Sequence, residues 1–290
     1  MATLKSTYCL TEVADALEIS QSGFYAHQRK AERPHARQDR ELASQIEPIF
    51  HASRRTYGSP RIMHALRKKG RRCGKNRIAR LMRERGLRAR QKRRFRPQTT
   101  QSNHQLPVAP NWLALVPKPD RPGQIWLGDI TYIQTQEGWL YFSAILDHCS
   151  RRCVAWHAGD SLESSLVATT FEKACHNHQL EPGLLYHSDR GVQYASTEFQ
   201  NLLSSCGAAP SMSRKANPYD NAIMESFLAT LKTECLQNQI PKSRRKAKLI
   251  LFDYIETFYN RYRLHSSLGY QSPLEFENKF IPLTTEQIKH

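Results

Sequence analysis

No stretch of the 290-residue chain approaches the roughly 20 consecutive apolar residues of a membrane-spanning helix, and its first residues lack the apolar core of a signal peptide. The seven cysteines are odd in number and scattered, which excludes a disulfide framework and predicts an intracellular, reduced protein. Cys149 and Cys153, with His148 and His157 close by, fit no structural zinc spacing, and Cys9 and Cys73 have no paired ligands. Sustained heptads, and with them a zipper, are also missing. The scarcest residues in the front of the chain are acids: residues 61–96 hold one acid, Glu84, against 17 Lys and Arg.

What is present follows from that asymmetry. Residues 1–123 carry 27 Lys/Arg and 9 Asp/Glu, whereas residues 124–290 carry 16 and 17, so the whole net charge of +17 lies in the front part. A solvated basic face does not require so lopsided a balance; a polyanion-binding region joined to a near-neutral domain does.

Within the basic part, Leu10, Val13, Ala14 and Leu17 share one side of a short helix, and a break leads into Ser22-Gly23-Phe24-Tyr25. This predicts a helix-turn-helix over residues 1–35, with Phe24 and Tyr25 in its small core. A second all-α, helix-turn-helix-like region is expected over 36–96. It has a helix from about Gln38 to His51, another opened by Ser59 and Pro60 and closed by Gly70, and a third from Lys75 closed by Gly86. Arg77, Arg80 and Arg83 are its candidate DNA contacts, mostly to phosphates. Arg88 to Arg96 reads as a basic arm, and the proline-rich residues 97–123 read as a linker.

From Gln124 the pattern becomes strands: Trp126–Ile133, Trp139–Leu146 and Arg152–His157. A helix near 162–176 follows, then a strand into Asp189, a helix near 196–205, a short strand at 210–213, and a helix around Glu225. Three meandering strands followed by alternating helices and strands predict an α/β domain over 124–280, with a basic helix toward its end and a tail at 281–290. Asp129 is a lone acid inside a β-rich apolar run, where a charge must be paired or bind a metal. Asp189 ends a strand beside Arg190. On the Glu225 helix, Asn217 is suited to capping and Pro218 to the first turn, Ile223, Met224, Phe227, Leu228 and Leu231 form an apolar side, and Asn221, Glu225 and Lys232 share the polar side. Two strand carboxylates and one helix carboxylate suit an oxygen-only site for Mg²⁺ or Mn²⁺, two ions of which can serve phosphodiester displacement. Taken singly, each acid has a plainer reading: Asp129 as structural, Asp189 paired with Arg190, Glu225 paired with Lys232. Asp147 and Asp220 read as turn and first-turn acids, His187 as a packed strand-end residue, and Asn221 as a residue orienting Glu225. Near the end, Arg261, Arg263 and His265 are either DNA-holding residues or a solvated helix end.

Asp129, Asp189 and Glu225, with 35 residues between the last two, resemble the Asp-Asp-Glu triad of retroviral-type integrases and insertion-sequence transposases. The surrounding words are similar to those of the second-reading-frame transposases of the integrase-like group. They are Asp129-Ile130-Thr131-Tyr132, His187-Ser188-Asp189-Arg190-Gly191, Asp220-Asn221-Ala222, Leu231-Lys232, Tyr259-Asn260 and Leu268-Gly269-Tyr270-Gln271-Ser272-Pro273, and the resemblance runs from about Leu10 to Phe276. It implies a ribonuclease H-like catalytic core. It further implies Asp129, Asp189 and Glu225 as catalytic metal ligands for two Mg²⁺ ions, with Mn²⁺ substituting, and Lys232 as a substrate-positioning residue. The implied reaction is DNA 3′-end cleavage and strand transfer on the element ends and target DNA, by a homo-oligomer in the bacterial cytoplasm at the nucleoid. In such systems an upstream reading frame, as fusion or partner, usually adds terminal-repeat recognition and an oligomerising zipper. Two alternatives stand beside this reading: a same-fold nuclease that cuts without joining, and a DNA-binding regulator with an idle catalytic domain.

Overall fold

The computed structural model describes residues 34–90, 106–214, 220–237 and 239–280, with isolated positions at 11, 20 and 22. The expected first helix-turn-helix, the outer part of the basic arm, residues 217–219 and the 281–290 tail lie outside them. The chain divides into two compact units, Met1–Ala52 with Gly58–Arg88, and Ser53–Tyr57 with Ala89–His290.

The described part of the first unit is three helices, α1 (Pro34–Ala52), α2 (Ser59–Lys68) and α3 (Lys75–Glu84). Each buries a single apolar stripe at helical spacing: Leu42, Ile46, Ile49 and Phe50 from α1, Ile62 and Leu66 from α2, Ile78, Leu81 and Met82 from α3. With no acid in the first turn of α2 or α3, the remaining faces are cationic. Gly70 and Gly86 end α2 and α3 at φ +78° and +65°, a left-handed conformation that costs a side chain and suits glycine. Beyond them, Arg71 N–H donates to Leu66 O and Leu87 N–H to Met82 O, satisfying carbonyls the helix ends would leave open. Ser59 does not cap α2. It is the first helical residue, Gly58 holds the cap position without a side-chain bond, and Pro60 falls within the first turn.

The second unit is a five-stranded mixed sheet in the order β3-β2-β1-β4-β5. The strands are β1 (Ile125–Thr135), β2 (Gly138–Asp147), β3 (Cys153–Gly159), β4 (Leu185–Ser188) and β5 (Ala209–Met212). The first three form an antiparallel meander, while β4 and β5 add in parallel. Along one face run α4 (Ser164–Asn177), the single turn α5 (Val192–Ala195) and α6 (Thr197–Ser205), over a core that includes Trp126, Ile145, Phe171, Tyr186 and Phe199. Phe171 meets Trp126, Tyr186 and Phe199 edge to face, at centroid distances of 6.2, 5.4 and 6.0 Å. Strand alternation turns Ile125, Leu127 and Asp129 to the opposite face, where α7 (Ala222–Glu234) packs on β1 and α8 (Arg244–Phe252) on β2. Gly128 is a steric necessity, because a Cβ there would stand 2.1 Å from the Tyr186 hydroxyl. This is a ribonuclease H-like architecture.

Two segments differ from the sequence expectation. The stretch read as linker is not a free spacer over 106–123: Leu106 and Ala109 pack on the sheet core, and Leu113 N–H donates to Ser211 Oγ at 3.2 Å. The end of the chain is also not one amphipathic helix. After α8 it passes through a π-helical segment (Asp253–Tyr259), and it later forms α9 (Pro273–Glu277), capped by Ser272 with a reciprocal Glu275 bond. Asn260 between them clamps β3, accepting from Cys153 N–H at 2.9 Å and donating to Cys153 O at 3.0 Å.

Candidate active site

Asp129 sits in the middle of β1, in register with Ala144 of β2, and its Oδ1 accepts the Ile130 N–H at 2.7 Å. The pairing of β1 with β4 stops at Leu127 and His187, so the chain leaves β4 through Asp189 beside Asp129. The Asp189 Oδ1 accepts the Gly191 N–H at 2.9 Å, fixing the carboxylate at the turn. His187 anchors that strand end from below. It is fully buried, with Nδ1 2.9 Å from Ser211 Oγ and Nε2 3.0 Å from Ser213 Oγ. Burial lowers its pKa to about 4, against the opposing pull of Asp220, so the imidazole is neutral and works as a brace.

Glu225 is exposed in the first turn of α7, where a carboxylate suits the helix dipole, and its N–H donates to Asn221 O at 3.0 Å. The helix as described starts at Ala222. Asp220 therefore lies outside its first turn, and it accepts from Arg214 N–H, the Arg214 guanidinium and Asn111 Nδ2. Asn221 is buried, and its Oδ1 has no hydrogen-bond partner among the described residues. Seven residues after Glu225, Lys232 is half-buried on the same side of the helix.

Electrostatics tie these groups together. Burial, then the Asp189 and Glu225 carboxylates, hold the Asp129 carboxyl well above the usual range, with the Ile130 N–H and Lys232 opposing. Lys232 is lowered by burial, and Asp129 works against that shift. Beneath the acids, burial and then neighbouring charges push the Tyr186 and Tyr194 hydroxyls upward, with Asp129 and Asp189 contributing in both cases. Tyr194 Oη and Ser143 Oγ are both buried, and hydrogen bonding with Ser143 works against the rise at Tyr194. Asp129 thus lies in the field of both other acids, and the two tyrosine hydroxyls lie in the field of Asp129 and Asp189. Among the described residues no three His, Cys, Asp or Glu side chains stand close enough to hold a metal ion. The donor set is still of the kind a hard divalent cation selects: all carboxylate oxygen, with a mutual repulsion that such a cation would relieve.

The remaining predicted residues have diverse surroundings. In the first unit Arg77 Nε and Arg80 Nη2 both engage Asp39, at 2.7 and 2.5 Å, and Arg80 also reaches Glu84 at 2.8 Å. Arg83 is exposed. Arg261 is exposed, with its Nε donating to Glu256 O. Arg263 is not a surface contact: it is buried, and its Nε and Nη2 donate to the two Glu234 oxygens at 2.8 and 2.7 Å. The reason is local: after the π-helical segment the chain turns inward, and Arg263 supplies the cation that the buried Glu234 requires. His265 stacks edge to face on Tyr259 at 5.0 Å. Asp147, read as a turn acid, caps the β2–β3 turn by accepting from Cys149, Ser150 and Gly123 N–H groups. Sequence reasoning missed the Tyr186–Tyr194 floor; the signal was a glycine preceding Asp129 with a bulky aromatic on the strand beside it.

The integrase core domain family matches residues 119–218 and, in a second form, 206–273, and an HTH-like domain family matches residues 37–95. The chain is 40% identical to the 31 kDa protein of insertion element IS600 from Shigella sonnei, covering 90% of this chain and 96% of that protein. It is also 40% identical to the transposase of insertion sequence IS904 from Lactococcus lactis, covering 84% and 97%. Transposase InsF of insertion sequence IS3A from Escherichia coli is 34% identical, covering 95% and 96%. The chain belongs to the integrase-type transposases of bacterial insertion sequences. A solved structure of the HTLV-2 integrase catalytic core domain in complex with magnesium aligns at a TM-score of 0.43 and 15% identity, covering 55% of this chain and 98% of that one. For a transposase of this family, the HTH-like and integrase core domains imply binding to DNA, and among the described residues no helix is long and apolar enough to cross a membrane.

Proposed function

We propose that this transposase cleaves DNA at the 3′ ends of its element and joins those ends to target DNA, with Asp129, Asp189 and Glu225 as the catalytic carboxylates. The observation that carries this reading is the elevated Asp129 carboxyl: burial aside, it is raised by both Asp189 and Glu225, so it senses the other two acids. Asp129, Asp189 and Glu225 would hold divalent cations, Mg²⁺ or Mn²⁺, which when bound supply activation of the attacking oxygen and neutralisation of the leaving one. Asp129 and Asp189 are each fixed by a backbone N–H, whereas Glu225 stands exposed on α7, able to complete the site from the helix side. Lys232, half-buried on the same side of α7, would hold a DNA phosphate against the acids. In the first step water attacks a phosphodiester and the 3′ oxygen leaves; in the second the freed 3′-hydroxyl attacks a target phosphodiester, whose own 3′ oxygen leaves. The proposed working form is a homo-oligomer on DNA, with the first unit gripping duplex through Arg83 and its neighbours, and with an upstream reading-frame product as fusion or partner.

The test is strand transfer of a labelled, pre-cleaved element end into plasmid DNA with Mg²⁺ or Mn²⁺, comparing wild type with Glu225→Gln. A loss of joined product on the order of a thousandfold, with DNA binding retained, is expected. Metal-dependent cutting without joining would identify a nuclease instead, and salt-sensitive binding with no chemistry, tested with the upstream product present, would identify a regulator.

A further inference from the structure

The β1–β2 hairpin carries an exposed aromatic cluster that phosphoryl transfer leaves unused. Tyr132 and Trp139 are 46% and 50% exposed, with ring centroids 6.3 Å apart and edge to face, and Tyr141 meets Tyr132 at 5.4 Å. Such cross-strand pairs steady a hairpin and hold the rings in one arrangement, but that does not require two large faces to remain in water.

Their position is informative. From Asp129 to Thr135 one edge of β1 has no strand beside it among the described residues, since β4 pairs only as far as Leu127. Tyr132 lies three residues from Asp129 along that edge, about 10 Å, and strand alternation puts its ring on the other face of the sheet, so a strand passing round the open edge would meet both. Burial and the nearby Tyr141, with Asp189 after them, hold the Tyr132 hydroxyl above its usual range, so it lies within the field of the acidic site.

Cations flank the other side. Arg244 Nε donates to Trp139 O at 3.1 Å, Arg244 N–H donates to Glu137 Oε2 at 2.8 Å, and Gln136 N–H donates to Pro241 O at 3.0 Å. These bonds tie the start of α8 to the hairpin, with Lys242, Arg245 and Lys246 exposed around it. Cations in a first helical turn oppose the helix dipole, so helix stability does not account for them. Exposed aromatic faces on a hairpin whose turn is tied to an exposed basic helix start suit one ligand above others: a DNA strand whose bases are unstacked, because duplex bases hide their faces.

We propose that Tyr132 and Trp139 stack on unpaired nucleobases of the DNA strand beside the reacting end, while Lys242, Arg245 and Lys246 hold its phosphates. The idea rests on the transposase reading and deepens it: the site accepts an end that is locally opened.

The test is metal-free fluorescence anisotropy of the full chain with a short labelled oligothymidine and with a duplex of equal length. Tyr132→Ala and Trp139→Ala should each weaken oligothymidine binding about five- to tenfold and leave duplex binding unchanged, while Tyr132→Phe and Trp139→Phe retain it. The proposal is overturned if wild type binds only duplex, if the alanine variants bind oligothymidine like wild type, or if the phenylalanine variants lose as much as the alanine ones. It is equally overturned if the alanine variants change only the oligomeric state by light scattering, which would make the patch a protein contact. Since no metal or chemistry enters, failure here leaves the strand-transfer comparison standing, and failure there leaves this one standing.

Discussion

Helix α7 carries two glutamates, nine residues apart, in opposite surroundings. Glu234, at its end, is buried and matched: both oxygens receive Arg263, and Oε2 also receives the Tyr254 hydroxyl at 2.7 Å. Burial works against the Arg263 charge, yet the Glu234 carboxylate more than restores it, and its pKa ends above the ordinary value. Glu225, in the first turn, is instead exposed and acts on Asp129, whose carboxyl is also raised by Asp189 and opposed by Lys232 and the Ile130 N–H. A carboxylate matched inside the protein holds the fold together. A carboxylate such as Asp129, raised by burial and by other acids, costs folding free energy when ionised, and the proposed function is what would keep it.

The strongest way to break the comparison is to remove Glu234's partner. Arg263→Met should destabilise the protein by about 3–5 kcal/mol in urea unfolding, because a buried charge is stranded, and Glu234→Gln in the same chain should recover part of that loss. A surface arginine holding DNA would instead change binding and leave stability alone.

His187 gives the next effect. Its folded pKa of about 4 lies below the ordinary histidine value of 6.5, so the unfolded chain binds a proton the native state refuses. Its contribution to stability is complete above pH 6.5 and is lost as pH falls from 6.5 toward 4, amounting to about 3 kcal/mol. Urea midpoints measured across that window should fall steeply for wild type and less for His187→Gln.

Asp129→Asn sharpens the other half of the contrast. The folded carboxyl titrates above its unfolded value, so stability falls as pH rises between the two, and at neutral pH the ionised group is a net cost. Without divalent metal, the asparagine variant should melt a few degrees higher than wild type while being inactive. Added Mn²⁺ should raise the melting temperature of wild type but not of the variant.

The smallest effect belongs to the first unit. Arg77 and Arg80 are both engaged by Asp39, while Arg83 is exposed. Arg83→Ala should weaken duplex binding similarly across sequences and reduce the slope of log affinity against log salt by about one.

Much of this was legible in the chain. Periodicity placed the three helices of the first unit and the order of strands and helices in the second, because each element buries one stripe or one face. The acids were legible as misfits: Asp129 interrupts an apolar strand, and Glu225 faces away from the apolar side of its helix. The fate of the arginines was not. Arg261 and Arg263 are two residues apart in a basic stretch, and only the inward turn after the π-helical segment leaves one in water and sends the other to Glu234. The docking of 106–123 was hidden for a related reason: prolines signal irregular backbone, and irregular backbone is as able to lie on a sheet as to span a gap.

Sequence alone determined the division of charge, the type of most elements and which acids stand out as misfits, since these follow from composition and from spacing along one helix or strand. Tertiary structure decided which acids share a field and which cation is buried. It also decided that Tyr132 stands on the open edge of β1 and that Trp139, on β2, is tied to the basic start of α8. Those outcomes depend on residues far apart in the chain meeting across the sheet, and burial and Coulomb energy are set by that meeting.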